Sequence, residues 1–343
     1  MQTRKVFLWL AFPASVWSND VTATRLAANP LITVKSSPSL GENVNGPSII
    51  RVPKWVKQPL GRYYLYFANH KGHAIRLAYT NTFPGPWKIH EPGVIEVQGT
   101  AFRRPLPDPL GIPFMYTHVA SPEVWIDEAH KKIVMWYHGT WTDGHPWPAG
   151  NEAALKWMRE RGYSQFTQAA QSADGIHFEP LPPITKQIYL RVIPHGGYYY
   201  GMARLGQLLR TKNPLSSFEL GPNPFRGGPY ADRVRHVALL EIGNKLYVFF
   251  SAIGDAPERI LLSTINWTGD WSEWKASAPA DVLAPRTEYE CASLPVVPSK
   301  MGDAERPVHE LRDPAVFQEN GKIYLLYSVC GEQGIAAAEV KIR

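Results

Sequence analysis

Cysteine is nearly absent: the 343-residue chain has two, Cys291 and Cys330, whose spacing fits neither a metal site nor a redox pair. Two buried thiols are the simpler reading of them, and a disulfide is the other. No apolar run is long enough to cross a membrane as a helix, so no membrane partner is expected. Long stretches of helical apolar periodicity are missing as well. Although the formal net charge is +6 and the pI about 9.1, Lys and Arg are dispersed. No run of the kind that marks a nucleic-acid-binding arm occurs. Nor is there a Gly-x-Ser-x-Gly elbow, a phosphate loop, a dinucleotide fingerprint or a His-Glu-x-x-His pair. These absences remove the common nucleophile, nucleotide and zinc-protease chemistries, and no cofactor is expected.

The chain is instead rich in turn formers and aromatics, with 31 Pro, 27 Gly and 12% aromatic residues. Leu311 to Ser328 shows how they are used. Asp313-Pro314 opens a strand, because Pro lacks the ladder N–H and sits at a strand start rather than inside it. Asn320-Gly321 is a hairpin turn, and Ile323 to Tyr327 returns as an apolar, aromatic strand. The same unit recurs upstream at Gly46 to Phe67, at Ser121 to Tyr137, more weakly at Arg191 to Tyr200, and at His236 to Phe250. A repeat of roughly 60 to 75 residues, each with a hairpin and further short strands, specifies a β-propeller. The expected fold is therefore all-β, with five four-stranded blades. The last unit has no room for its fourth strand, so a segment at Leu26–Val34 is expected to close the ring by pairing there. Residues 1–20 read as a signal or extension and 21–343 as one propeller domain. The basic head at Arg4 and Lys5 followed by a short apolar run points to export to the periplasm or outside, the cytoplasm being the alternative.

In a propeller the innermost strand of every blade runs along the central channel, so residues far apart in sequence meet at one end of it. Aligning the hairpins puts Asn45 and Ser48, Ser121 and Glu123, Tyr189 and Arg191, Arg235 and His236, and Arg312 and Asp313 at the five mouths.

Taken together, the Arg312-Asp313-Pro314 opening, the Tyr63-Tyr64-Leu65-Tyr66 hairpin strand, the Ser121-Pro122-Glu123-Val124 strand and the Gly85-Pro86-Trp87 blade end resemble the five-bladed propeller glycoside hydrolases. Family 43 arabinosidases and xylosidases belong to that group. The resemblance covers about Pro30 to Val340 and implies a glycosidase whose carboxylates line the funnel, sometimes with a structural cation on the axis. His118 and His236 are the residues that the resemblance permits as its ligands. The chain departs from the pattern in having Asn45 where the family's base Asp opens the first blade, and no acid in the third.

Glycoside hydrolysis needs one protonated and one ionised carboxyl group. Asp313 beside Pro314 at a strand mouth, Glu123 inside an apolar strand where burial raises a carboxyl pKa, and Glu290 between Tyr289 and Cys291 are the catalytic candidates. Asn45, His118, Arg191, Arg235, His236 and Arg312 are the substrate-binding candidates. The arginines suit an anionic sugar, since guanidinium holds carboxylate or sulfate through paired hydrogen bonds. The expected partner is a carbohydrate, met by a monomer or simple dimer. Two alternatives stand beside hydrolysis. One is a non-catalytic glycan-binding propeller. The other is a lyase in which Tyr189 or Tyr289 with His236 removes a proton next to a uronate neutralised by Arg235.

Overall fold

A computed structural model describes residues 21–103, 117–141, 156 and 164–343. Two short strands come first, β1 (Val21–Arg25) and β2 (Ile32–Thr33), and each later blade uses the next strands in order. Blade one is β3 (Asn45–Arg51), β4 (Tyr63–Ala68), β5 (Ala74–Thr80) and β6 (Lys88–Glu96). Blade two is β7 (Val119–Asp127), β8 (Lys132–Trp141), β9 (Ser164–Ser172) and β10 (Phe178–Thr185). Blade three is β11 (Arg191–His195), β12 (Tyr198–Met202), β13 (Leu208–Thr211) and β14 (Glu219–Leu220). Blade four is β15 (Val234–Ile242), β16 (Lys245–Ala252), β17 (Ile260–Asn266) and β18 (Ala280–Leu283). Blade five is β19 (Leu311–Glu319), β20 (Lys322–Val329) and β21 (Gly334–Ile342), completed by β1 on the outer edge of β21. The hairpin residues Asn320 and Gly321 take φ of 51° and 74°, the left-handed pair that a two-residue turn between twisted strands needs.

The N-terminal strand does close the last blade, but not as one strand over Leu26–Val34. Both β1 and β2 pair with β21, at Val21↔Ile342 through Arg25↔Ala338 and at Ile32↔Ile335. Between them Pro30 has no N–H to give. The Asn29 side chain fills the gap, donating to the Ala337 carbonyl at 2.8 Å and accepting from the Ala337 N–H at 2.8 Å. A side-chain amide thus replaces a peptide group in the ladder.

Because each blade is covered on both faces, successive residues of its second strand enter different cores. Tyr64 and Tyr66 pack toward blade two, with Met135 and Tyr137, whereas Leu65 and Phe67 pack toward blade five, with Leu326 and Ala337. Val134 and Trp136 meet Leu190 and Leu209 between blades two and three. Val248 and Phe250 meet Tyr200 and Met202 between blades three and four, and Phe249 meets Leu325 and Tyr327 between four and five. Five cores close the circle. At about 1.5–3 kcal/mol for each large apolar side chain buried, they are the main source of stability and explain why the hairpin strands read as continuous aromatic runs.

Cys291 and Cys330 are joined in a disulfide, with Cα atoms 4.9 Å apart, and are not two free thiols. Trp141 stacks edge-on against Phe166 at 5.9 Å, as a loop anchor does. The 1–20 extension and residues 104–116, 142–155 and 157–163 lie outside the described residues.

Candidate active site on the propeller axis

One side chain fixes the register of all five blades at the axis. Arg191, buried at the start of β11, donates to the carbonyls of Pro47 (3.0 Å), Pro122 (3.0 Å), Val237 (3.2 Å) and Pro314 (3.3 Å), one from every other blade. Its fifth partner is the Glu123 carboxylate at 2.5 Å, which also accepts from Ser48 at 3.3 Å. These four carbonyls make Gly46, Ser121, Tyr189, His236 and Asp313 equivalent, as the first ring at the channel mouth. Ser48, Glu123, Arg191, Ala238 and Ala315 form a second ring beneath it. The small residues of the second ring leave the space that the guanidinium fills.

The first ring is held in an unusual backbone. Pairing of the first two strands slips between Asn45 and Ser48, Ala120 and Glu123, Val234 and Val237, and Arg312 and Ala315. At these bulges Gly46, Ser121 and Asp313 take φ of 60°, 51° and 50°, and Tyr189 takes 58°. Only glycine accepts this region freely. A Cβ on Gly46 would also sit 3.2 Å from Ser121 Cα. For Ser121, Tyr189 and Asp313 the conformation costs on the order of 1–2 kcal/mol each. Bulges of this kind re-aim side chains next to functional sites, and here they turn the mouth residues inward.

Two carboxylate–imidazole pairs meet around Tyr189. The His236 Nδ1 contacts Asp313 Oδ1, and Ser328 donates to Asp313 Oδ2 at 2.9 Å. Burial opposes ionisation of Asp313, but His236 outweighs it and holds the carboxyl below its usual value. Burial likewise pushes His236 below its usual value, in spite of Asp313. The pair is therefore carboxylate with neutral imidazole, the Nδ1–H donating to Asp313 and the Nε2 lone pair left over. That Nε2 is buried without a hydrogen-bond partner. The second pair has the opposite bias. His70 Nδ1 lies 3.2 Å from Glu332 Oε2, and although burial works against its charge, Glu332 raises His70 above its usual value. Glu332 itself sits well below the carboxylate range, where His70, Arg312 at 3.1 Å and Asn43 at 2.6 Å offset its burial. Tyr189 connects the pairs: its ring lies 3.9 Å from that of His236 and its hydroxyl 3.5 Å from His70 Nε2. Burial raises Tyr189, so it stays a phenol. Behind it, His138 lies 4.4 Å from the Tyr189 ring, 1% exposed, with neither ring nitrogen hydrogen-bonded. Next to His70 a cavity of about 450 Å³ is lined by Asn43, Asn69, Lys71, Asp303 and Glu305, a size that suits a small ligand.

Several expected roles move. Glu290 is not in the funnel. It is fully buried at the one-turn helix Glu288–Glu290, clasped by Arg25 at 2.7 and 2.9 Å, by the Arg286 and Thr287 N–H groups and by Tyr327. Glu123 is on the axis, but beneath the mouth and engaged by Arg191, while burial raises its pKa. Nor are the arginines free for an anionic sugar. Arg191 is spent as described, Arg235 is paired with Glu258 at 2.8 and 2.9 Å, and Arg312 with Glu310 and Glu332. Asn45 serves Glu332 at 3.1 Å and Asn43 at 2.7 Å. His118 is buried with its ring 5.6 Å from His138. Among the described residues no group of three or more His, Cys, Asp or Glu is arranged for a metal ion.

No protein-family model matches the chain. It is 33% identical over 321 residues to "Uncharacterized protein R118" of Acanthamoeba polyphaga mimivirus, covering 87% of this chain and 83% of that one. The chain belongs to the family of this viral protein. By structure the R118-family fold resembles a provisionally named glycoside hydrolase of Parabacteroides distasonis, at 11% identity, covering 94% of this chain and 97% of that one with a TM-score of 0.59. It also resembles the alpha-L-arabinofuranosidase of Lactobacillus brevis, at 12% identity, 91% and 92% coverage and a TM-score of 0.55. A thermostable family-43 glycoside hydrolase gives 12% identity, 87% and 88% coverage and a TM-score of 0.54. These likenesses establish the architecture, that of the five-bladed family-43 type.

Within this R118-family propeller, His70 and Glu332 escaped sequence reasoning. Neither opens an inner strand. Each follows the second strand of its blade, which runs back to the same rim: His70 comes two residues after β4, and Glu332 three after β20. A charged or imidazole side chain just beyond each aromatic strand was the signal available.

Proposed function

We propose that the protein is a glycoside hydrolase whose acid and base are the two imidazoles of the axial site rather than two carboxyl groups. The observation that carries this reading is that two buried carboxylate–imidazole pairs, Asp313 with His236 and Glu332 with His70, meet around Tyr189; their environments push His70 up and His236 down, as separate acid and base roles require. In this reading His236 Nε2 takes a proton from the water attacking the anomeric carbon. His70 gives its Nε2 proton to the departing glycosidic oxygen. Asp313 holds His236 in the required tautomer, and Glu332 keeps His70 charged. The Tyr189 hydroxyl, next to His70 Nε2, donates to a substrate oxygen. Carbohydrate as the substrate is supported by the glycosidase names carried by chains of the same architecture. The lyase alternative is weaker. A buried, fully protonated Tyr189 is a poor base, and Arg235 is engaged by Glu258.

The test is a panel of neutral and acidic oligosaccharides and aryl glycosides, read for new reducing ends and for the ultraviolet absorbance of an unsaturated sugar. Hydrolysis gives reducing ends alone, lost in His236→Gln and in His70→Gln. An ultraviolet band assigns the lyase instead, and binding without products assigns a glycan-binding module.

A further inference from the structure

The connection that follows the second strand brings His70 to the rim in blade one and Glu332 in blade five. In blade three the residue at that place is Arg204, two positions after β12, as His70 is two after β4. Its N–H donates to the Ile188 carbonyl at 3.0 Å, fixing it beside Tyr189. Leu205 and Gly206, with φ of 63° and 77°, form the tight turn that presents it. Its charge is felt by both Tyr189 and His138. Yet Arg204 is unlike the three other axial arginines. Arg191, Arg235 and Arg312 are saturated by carboxylates and carbonyls, whereas the half-buried Arg204 side chain has no hydrogen bond or ion pair among the described residues. A second observation points to a ligand. His138, with both ring nitrogens unpaired, and His236, with its Nε2 unpaired, are more than nine-tenths buried and flank the same Tyr189 ring. Buried polar groups without partners carry a cost that a bound polar molecule removes.

We propose that the axial site takes a sugar bearing an anionic group, carboxylate or sulfate, and that Arg204 is the residue that binds that group. This rests on the carbohydrate reading above and names its substrate class. A guanidinium without an internal partner can offer paired donors to an incoming carboxylate or sulfate, and the neutral imidazole of His138 can meet a sugar hydroxyl.

Binding is measured by isothermal titration and ligand-observed NMR with glucuronate, galacturonate and glucose 6-sulfate, each against its neutral parent, in wild type, Arg204→Gln and Arg204→Lys. At least one anionic sugar should bind wild type about tenfold or more tightly than its parent, the scale of a charged hydrogen bond. The carboxylate and sulfate arms tell which anion is taken. Arg204→Gln should lose that preference at an unchanged melting temperature, because the side chain supports nothing internally, and Arg204→Lys should keep part of it. Equal binding of acids and parents, no binding of either, or a preference that survives in Arg204→Gln overturns the proposal. Turnover of neutral glycosides without charge preference refutes this inference and leaves the hydrolase reading. Charge-selective binding with no turnover does the reverse.

Discussion

Glu290→Gln separates the sequence expectation from the structure most cleanly. As a funnel carboxylate it would lose turnover and keep its fold. In the structure the carboxylate receives the Arg25 guanidinium on both oxygens, two backbone N–H groups and the Tyr327 hydroxyl, with no exposure to solvent. An amide of the same shape accepts on one oxygen and presents an NH₂ to donors on the other side. Arg25 is then left part-buried without its counter-charge. Breaking a buried pair on one side costs about 3–5 kcal/mol. For 343 residues, unfolding entropy of roughly 2.1 cal/mol/K per residue converts this into a fall of about 4–7 °C in melting temperature. Calorimetry and turnover per folded molecule are measured on the same preparation. A lower melting temperature with normal turnover is expected. An unchanged melting temperature with lost turnover would refute the reasoning and return Glu290 to the chemistry.

Other consequences can be checked in the same way. Asp313→Asn no longer fixes the His236 tautomer and should lower kcat by about 10²- to 10⁴-fold, read against the panel substrate; full activity would remove Asp313 from the site. The pH profile of kcat/KM should be a bell whose acid limb, from His236, lies below the ordinary histidine value of about 6.5. Its alkaline limb, from His70, should lie above that value. Glu332→Gln should draw the alkaline limb down, since the carboxylate that raises His70 is gone. Arg191→Met leaves the part-buried Glu123 without its cation and strips the four carbonyls of their donor, so it should destabilise by about 3 kcal/mol. Adding Glu123→Leu should recover much of this in denaturant melts, and no recovery would mean that the carbonyl contacts dominate. The Cys291–Cys330 disulfide spans 39 residues, so its loss by Ser replacement should cost about 4 kcal/mol by loop entropy, visible as a lower denaturation midpoint.

The five blades were legible because each is punctuated locally. Pro at a strand start, a turn dipeptide and an aromatic run with both faces buried recur in register, and these are short-range signals. The same regularity exposed the first ring, and Tyr189, His236 and Asp313 do meet there. Partner choice was not legible. Arg235 and Arg312 look like anion clasps until Glu258, Glu310 and Glu332 are seen to occupy them, and those acids lie in connections between strands with no pattern of their own. Glu290 was misread for a related reason. Its place between Tyr289 and Cys291 made it a catalytic candidate, whereas its partner Arg25 is 265 positions away, and a pairing of that range leaves no local trace. The N-terminal closure was foreseen and β2 lies within the expected segment, but the pairing extends back to β1 and is interrupted where the Asn29 side chain stands in for backbone.

Arg191 joins the middle blade to the other four in one group of hydrogen bonds. In a linear repeat array each unit contacts only its neighbours, so ends can fray and parts can melt separately. Here the loss of any one blade removes a partner from a buried guanidinium that belongs to another, and the cost of local opening is charged to the whole ring. Hydrogen exchange at the innermost strands should therefore report a single opening energy shared by β3, β7, β11, β15 and β19, with no blade able to detach by itself.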